Sequence, residues 1–110
     1  MTEQELRRVY EIKREIGRIE AQMREHQGKP GAEKLTRILR EHQAKLIREK
    51  EAVLRYILDI EDDTVRLIAF MRFFEGKSWE TIAKVRCYDR TSCAKILRKW
   101  LREHSDETFP

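Results

Sequence analysis

Toward the C-terminus, Arg90, Thr91, Lys95, Arg98, Lys99 and Arg102 recur at spacings that suit one helix. At about 100° per residue, Thr91, Lys95, Arg98 and Arg102 share a face, Lys99 flanks it, and Arg90 falls in the first turn. Cys93, Ile96, Leu97, Trp100 and Leu101, at i, i+3, i+4, i+7 and i+8, form an apolar stripe on the opposite side. Such a helix turns its dry side inward and its cations outward. A cationic row of this kind can neutralise phosphates, and an arginine can read guanine in bidentate fashion. When a helix enters a major groove, residues near its N-terminus reach the bases. Here those are Arg90, Thr91, Ala94 and Lys95, while Arg98, Lys99 and Arg102 are better placed for phosphates. Lys77, Ser78 and Lys84 are placed to clamp the flanking backbone, helped by the free amides that open the preceding helix. The plainer reading is a solvated basic face, and charge alone does not choose between the two.

The distribution of charge adds to the case. The 110 residues carry a formal net charge of +4. Residues 77–102 hold Lys77, Lys84, Arg86, Arg90, Lys95, Arg98, Lys99 and Arg102 against Glu80 and Asp89, a local net of +6. Residues 1–60 carry 14 basic and 11 acidic side chains, a net of +3 spread over 60 positions, and 61–76 and 103–110 are acidic. A phosphate backbone selects for such a concentrated basic block.

Other chemistries find little footing. Cys87 and Cys93 have no metal-ligand partners at suitable spacing and read as reduced thiols. His26, His42 and His104 are scattered and form neither a triad nor a ligand set. Asp59, Glu61, Asp62 and Asp63 resemble a paired-carboxylate site, but they stand just before a helix start, where capping is the ordinary role. There is no Gly-rich phosphate loop and no nucleophile motif, so the expectation is a non-enzyme with no metal, cofactor or small-molecule ligand. No apolar run is long enough to span a membrane and no signal-peptide pattern opens the chain, which predicts a soluble, cytoplasmic protein.

The elements that must position the basic row are helical. Charged residues are 40% of the chain and apolar ones 40%, with only 4 Gly and 2 Pro, which predicts an all-α fold. Leu6, Val9, Ile12, Ile16, Ile19, Met23 and His26 form a coiled-coil-like seam over a helix at about 3–26. Gln27-Gly28-Lys29-Pro30-Gly31 breaks it. A second seam, Leu35, Leu39, His42, Leu46, Glu49, Val53 and Tyr56, runs over about 32–57 and is imperfect at His42 and Glu49. Two long helices joined by a short turn are expected to fold back as an antiparallel hairpin, residues 1–58. Pairing of these helices between subunits is an open alternative.

Residues 59–104 are expected to form a three-helix domain. A nearly all-apolar helix at about 64–74 must be buried on more than one side, one of them facing the hairpin or a second subunit. Glu75-Gly76-Lys77 ends it. Ser78 caps a short helix from Trp79 to about Val85, Arg86-Cys87-Tyr88 turns, and Asp89 caps the last helix to about Glu103. Trp79, Ile82, Ala83, Tyr88 and Trp100 read as core. Residues 105–110 read as a frayed tail.

The order helix, short turn, helix is that of a helix-turn-helix. Residues 60–101 resemble the region-4-like helix-turn-helix of sigma-70-type factors, and above all the small phage and prophage transcriptional regulators of the RinA/ArpU kind. The matching residues are Ile60 and Asp62, then Arg66, then Met71-Arg72-Phe73-Phe74, Gly76, Ser78-Trp79 and Ile82-Ala83, then Tyr88-Asp89-Arg90. The phrase Gly-x-Ser-Trp-x-x-Ile-Ala carries most of the specificity; the hairpin matches only in style. The resemblance implies binding of double-stranded DNA and control of phage genes, without catalysis. The chain departs from the pattern where Arg86-Cys87 replaces a common Leu-Gly, which makes the turn less permissive.

Three functions compete at this point. The leading expectation is a DNA-binding regulator, a homodimer or a protein that touches RNA polymerase through its hairpin. The second is an adaptor that binds polymerase or another protein and never touches DNA. A packaging protein of the small-terminase type ranks below both, because its usual order places the DNA-binding part first.

Overall fold

The computed structural model describes residues 1–86 and 89–104. The readings of Cys87 and Tyr88 and of the tail 105–110 lie outside the described residues. Among the described residues all regular structure is helical, as expected for an all-α chain. The helices are α1 (Glu3–His26), α2 (Ala32–Leu58), α3 (Asp63–Phe73), α4 (Trp79–Arg86) and α5 (Arg90–Glu103). Their ends differ from the sequence expectation by at most a residue, the scale on which helix termini fray.

Short polar side chains start four of these helices. Each accepts a hydrogen bond from an amide that the helix itself cannot satisfy. Thr2 Oγ1 takes the Glu5 amide at 3.2 Å, Asp62 the Val65 amide at 3.0 Å, Ser78 the Thr81 amide at 3.2 Å and Asp89 the Ser92 amide at 2.7 Å. Of the acids before α3, Asp62 is therefore the cap, and Asp63 instead pairs with Arg66. α2 starts differently, from Gly31 at φ 79° with no side-chain cap. Gly76, at φ 68°, lets the chain leave α3 so that the Lys77 amide reaches back to the Met71 carbonyl at 3.0 Å. A side chain at either position would be strained in that left-handed conformation.

α1 and α2 run side by side in opposite directions. Arg8 meets Glu49 at 3.0 Å, His42 lies 4.0 Å from Glu15, and Gln43 reaches Glu20 at 3.5 Å. Ile12, Ile19 and Leu46 are buried between the two helices, with Ile16, Met23 and Leu39 packed around them. Packing loosens toward the tip, where Leu35 and Ile38 stay exposed and an open cleft is lined by Met23, Thr36 and Arg40. The polar seam positions have distinct fates. Glu49 is drawn into a cluster in which Arg8 also holds Glu11 and Glu15. His42 remains exposed at the rim. These carboxylates raise the pKa of the Arg8 guanidinium.

The main core lies at the other end of the α1–α2 pair. Leu6, Val9, Val53 and Ile57 join Val65, Ile68, Ala69, Met71 and Phe73 of α3, Ile82 of α4, and Cys93, Leu97 and Leu101 of α5. Met1, only 4% exposed, is part of the same core. α3 is thus covered on one side by α1 and α2 and on the other by α4 and α5, all within one chain. That accounts for its nearly all-apolar composition. Burying a Leu, Ile or Phe side chain contributes about 1.5–3 kcal/mol, whereas an exposed ion pair contributes about 0–1 kcal/mol. The core, rather than the many surface charges, therefore holds the helices together.

Two polar links fasten α1 to the end of α3. The Tyr10 hydroxyl donates to the Arg72 carbonyl, and the Lys13 ammonium donates to the Phe74 carbonyl. The Tyr10 ring lies 6.1 Å from that of Phe73. Burial pushes the Tyr10 pKa up, against the opposing pull of Arg72 and Arg7. Burial lowers that of Lys13, helped by the nearby Lys50.

Candidate nucleic-acid interface

α5 presents its cations because its apolar stripe is consumed by the core. Cys93, Leu97 and Leu101 are buried, and Ile96 and Trp100 are half-buried. Burial raises the Cys93 pKa, with a smaller contribution from Asp89. The cysteine therefore packs as a thiol rather than reacting as a thiolate. Trp100 makes an edge contact with Tyr56 of α2 at 6.4 Å and stacks on His104 at 4.0 Å. The start of the helix is fixed by Asp89, whose carboxylate pKa is lowered chiefly by the hydrogen bond from the Ser92 amide.

The α4 N-terminus and the outer face of α5 border one open concavity. It is lined by Ser78, Trp79 and Glu80 from α4 and its cap, by Arg90, Thr91, Ala94, Lys95 and Arg98 from α5, and by Arg72 from α3. Six of the ten residues expected from the sequence to touch DNA therefore meet here. Lys77 is exposed beside Ser78, while Lys84, Lys99 and Arg102 are exposed outside the lining. Lys77, Lys84 and Lys95 have no ion-pair partner among the described residues; Lys99 lies 4.0 Å from Glu103.

Two arginines are already engaged. Arg90 meets Glu80 at 3.1 Å, with both side chains about two-thirds exposed. Arg98 reaches Glu3, at the start of α1, at 3.2 Å. The Arg90–Glu80 pair, exposed on both sides, is a weak one; in the Arg98 pair Glu3 is only 24% exposed.

Ala94 sits differently from the sequence expectation. Its early position in α5 suggests a base contact; it is 8% exposed and lines the concavity. It neighbours the apolar stripe on the helix wheel, and α5 packs against α4. A buried methyl offers little reach, so Ala94 is better read as the floor on which Thr91 and Lys95 stand.

Arg72, named in the sequence only among the residues of the family resemblance and not as a site residue, also borders the concavity. Its guanidinium lies 4.8 Å from the centre of the Trp79 ring and donates to the Lys77 carbonyl at 3.0 Å. It thereby fixes the segment that leads into α4. The nearby Ser78-Trp79 pair is the signal that could flag it, since a half-buried Trp at a helix start invites a cation over its face. Glu3 and Glu80 are equally inconspicuous, because acids in first helical turns read as dipole partners and nothing more.

Among the described residues no three His, Cys, Asp or Glu side chains gather as a metal ion would require. No described helix is long and apolar enough to cross a membrane. No family model, curated protein or solved structure matches the chain.

Proposed function

We propose that this chain is a DNA-binding regulator in which α4 and α5 act as a helix-turn-helix, with α5 entering the major groove. The observation that carries this reading is the shared concavity. The capped start of α4, the cation over Trp79, and Thr91, Lys95 and Arg98 of α5 all border one open face, while the apolar side of α5 is spent on the core. A helix about 10–12 Å across with its side chains suits a groove about 12 Å wide, and the 14 residues of α5 extend it over about 21 Å. On this reading Thr91 and Lys95 approach base edges, Arg90 flanks them, and Arg98, Lys99 and Arg102 meet phosphates. Ser78, Lys77 and Lys84 hold the neighbouring backbone.

The residues shared with regulators of the RinA/ArpU kind support a role in phage or prophage gene control. The α1–α2 pair would serve for dimerisation or for contact with polymerase. Its seam is occupied within the chain, so a partner would have to use what remains, such as the exposed Ile38, Ile47 and Leu58 of α2. A second reading, an adaptor without DNA contact, draws on the same exposed apolar residues and on the carboxylates that hold Arg90 and Arg98.

Titration of a labelled random-sequence duplex by fluorescence anisotropy tests the proposal. A DNA binder gives an affinity that falls steeply with salt, because each phosphate contact releases counterions. An adaptor gives no binding even at low salt.

A further inference from the structure

Glu3 and Arg98 are 95 residues apart in sequence, yet the Arg98 Nε donates to a Glu3 carboxylate oxygen at 3.2 Å. The other oxygen of Glu3 accepts from Arg7 at 2.9 Å. Neither side chain of the Glu3–Arg98 pair is placed by chance. Met1 and Leu6, on either side of Glu3, are buried in the core, as are Leu97 and Leu101 beside Arg98. Glu3 is only 24% exposed against 49% for Arg98, and it stands in the first turn of α1, where the helix dipole attracts an acidic side chain. The same guanidinium lines the concavity with Thr91 and Lys95.

We infer that Glu3 is an affinity-setting residue, an internal carboxylate that competes with a DNA phosphate for Arg98. This rests on the DNA-binding reading above. A phosphate and a carboxylate make the same charge-assisted contact with guanidinium, so a phosphate that takes Arg98 must displace Glu3 or sit beside its negative charge. Either event costs binding free energy. The N-terminal helix would in this way restrain non-specific attachment to the backbone, leaving more of the affinity to base contacts.

The test is a comparison of the full chain with Glu3→Gln, Glu3→Ala and Glu5→Gln on a labelled random-sequence duplex at about 50 mM and about 200 mM salt. Glu5 lies in the same helical turn, and its carboxylate accepts from the Thr2 hydroxyl at 3.3 Å, an acceptor that glutamine keeps, so Glu5→Gln reports the effect of net charge. Both Glu3 variants are expected to bind about threefold to tenfold more tightly than the wild type at the lower salt, with a smaller gain at the higher salt. Glu5→Gln is expected to give less than half that gain. In an Arg98→Gln background the Glu3 effect should shrink to that of Glu5→Gln, as a double-mutant cycle requires of a direct pair. Circular dichroism confirms that each variant is helical. Equal gains from Glu3 and Glu5, or a Glu3 effect that survives removal of Arg98, would overturn the inference and leave DNA binding intact. Absence of binding by the wild type and every variant would instead remove the DNA-binding reading, and this inference with it.

Discussion

The hydroxyl of Tyr10 in α1 donates to the backbone carbonyl of Arg72 at the end of α3. The same Arg72 lays its guanidinium over Trp79 at the start of α4. One chain of contacts thus runs from the long N-terminal helix to the mouth of the candidate interface.

Breaking this link has a measurable cost. Tyr10→Phe keeps the ring against Phe73 and leaves a carbonyl without its donor, so it is expected to cost about 1 kcal/mol. Chemical denaturation monitored by circular dichroism reads this directly. The pH dependence has a defined sign. Burial raises the folded-state pKa of Tyr10 above its ordinary value. Its contribution is therefore fully present below the unfolded tyrosine pKa and is lost as pH rises past about 10 through the folded value. Tyr10→Phe should flatten that part of the stability profile.

The core is where a single change is gravest. Phe73 is 1% exposed and Leu97 is fully buried, and both belong to the cluster that joins α1 and α2 to the last three helices. Phe73→Ala is expected to cost about 3–5 kcal/mol and Leu97→Ala about 2–5 kcal/mol. Against a typical total of about 5–15 kcal/mol, either substitution should lower Tm sharply. Leu58→Ala, at a position 54% exposed, should change Tm little.

The cap of α5 makes a separate prediction. Asp89→Ala removes the acceptor for the Ser92 amide and should loosen the first turn, lowering both Tm and DNA affinity. Asp89→Asn keeps an acceptor and should restore most of both. Because the hydrogen bond from Ser92 lowers the pKa of Asp89, the ionised cap stabilises the fold above the ordinary carboxylate range. That contribution disappears as pH falls through the lowered value. Thermal melts of wild type and Asp89→Asn between pH 2 and 6 (about the range in which carboxylates titrate) should therefore converge toward the acidic end.

These cases also show what is legible in the sequence and what is not. The caps Ser78 and Asp89, and a cap within the cluster Asp59 to Asp63, are legible because capping is local: a short polar side chain reaches an amide three residues on. The apolar stripe of α5 is legible because a helix repeats every 3.6 residues. Pairing across the chain is not. Glu49 stands in the second seam as an irregularity, and only the fold brings Arg8 to it. Met1 gives no sign of being core, and the reach of Glu3 to Arg98 depends on how the shared core brings the start of α1 near α5. The burial of Ala94, 8% exposed, is not legible either, because position along a helix does not tell how closely the neighbouring helix approaches.

Within the interface, Lys95→Ala and Arg98→Ala should weaken duplex binding while leaving the helical circular dichroism signal unchanged. A variant that makes one fewer phosphate contact should show a slope of log affinity against log salt smaller by about 0.9. A side chain that instead reads a base edge should cost about 1–3 kcal/mol on its preferred sequence. Measured on random and selected duplexes, the two variants separate backbone contacts from base contacts.

The most direct test is the titration of the wild-type chain with random-sequence duplex DNA at about 50 mM and about 200 mM salt. The expected result is binding at the lower salt that weakens by at least about tenfold at the higher, the signature of several phosphate contacts made by the α5 face. No binding at either concentration, or binding indifferent to salt, would contradict it.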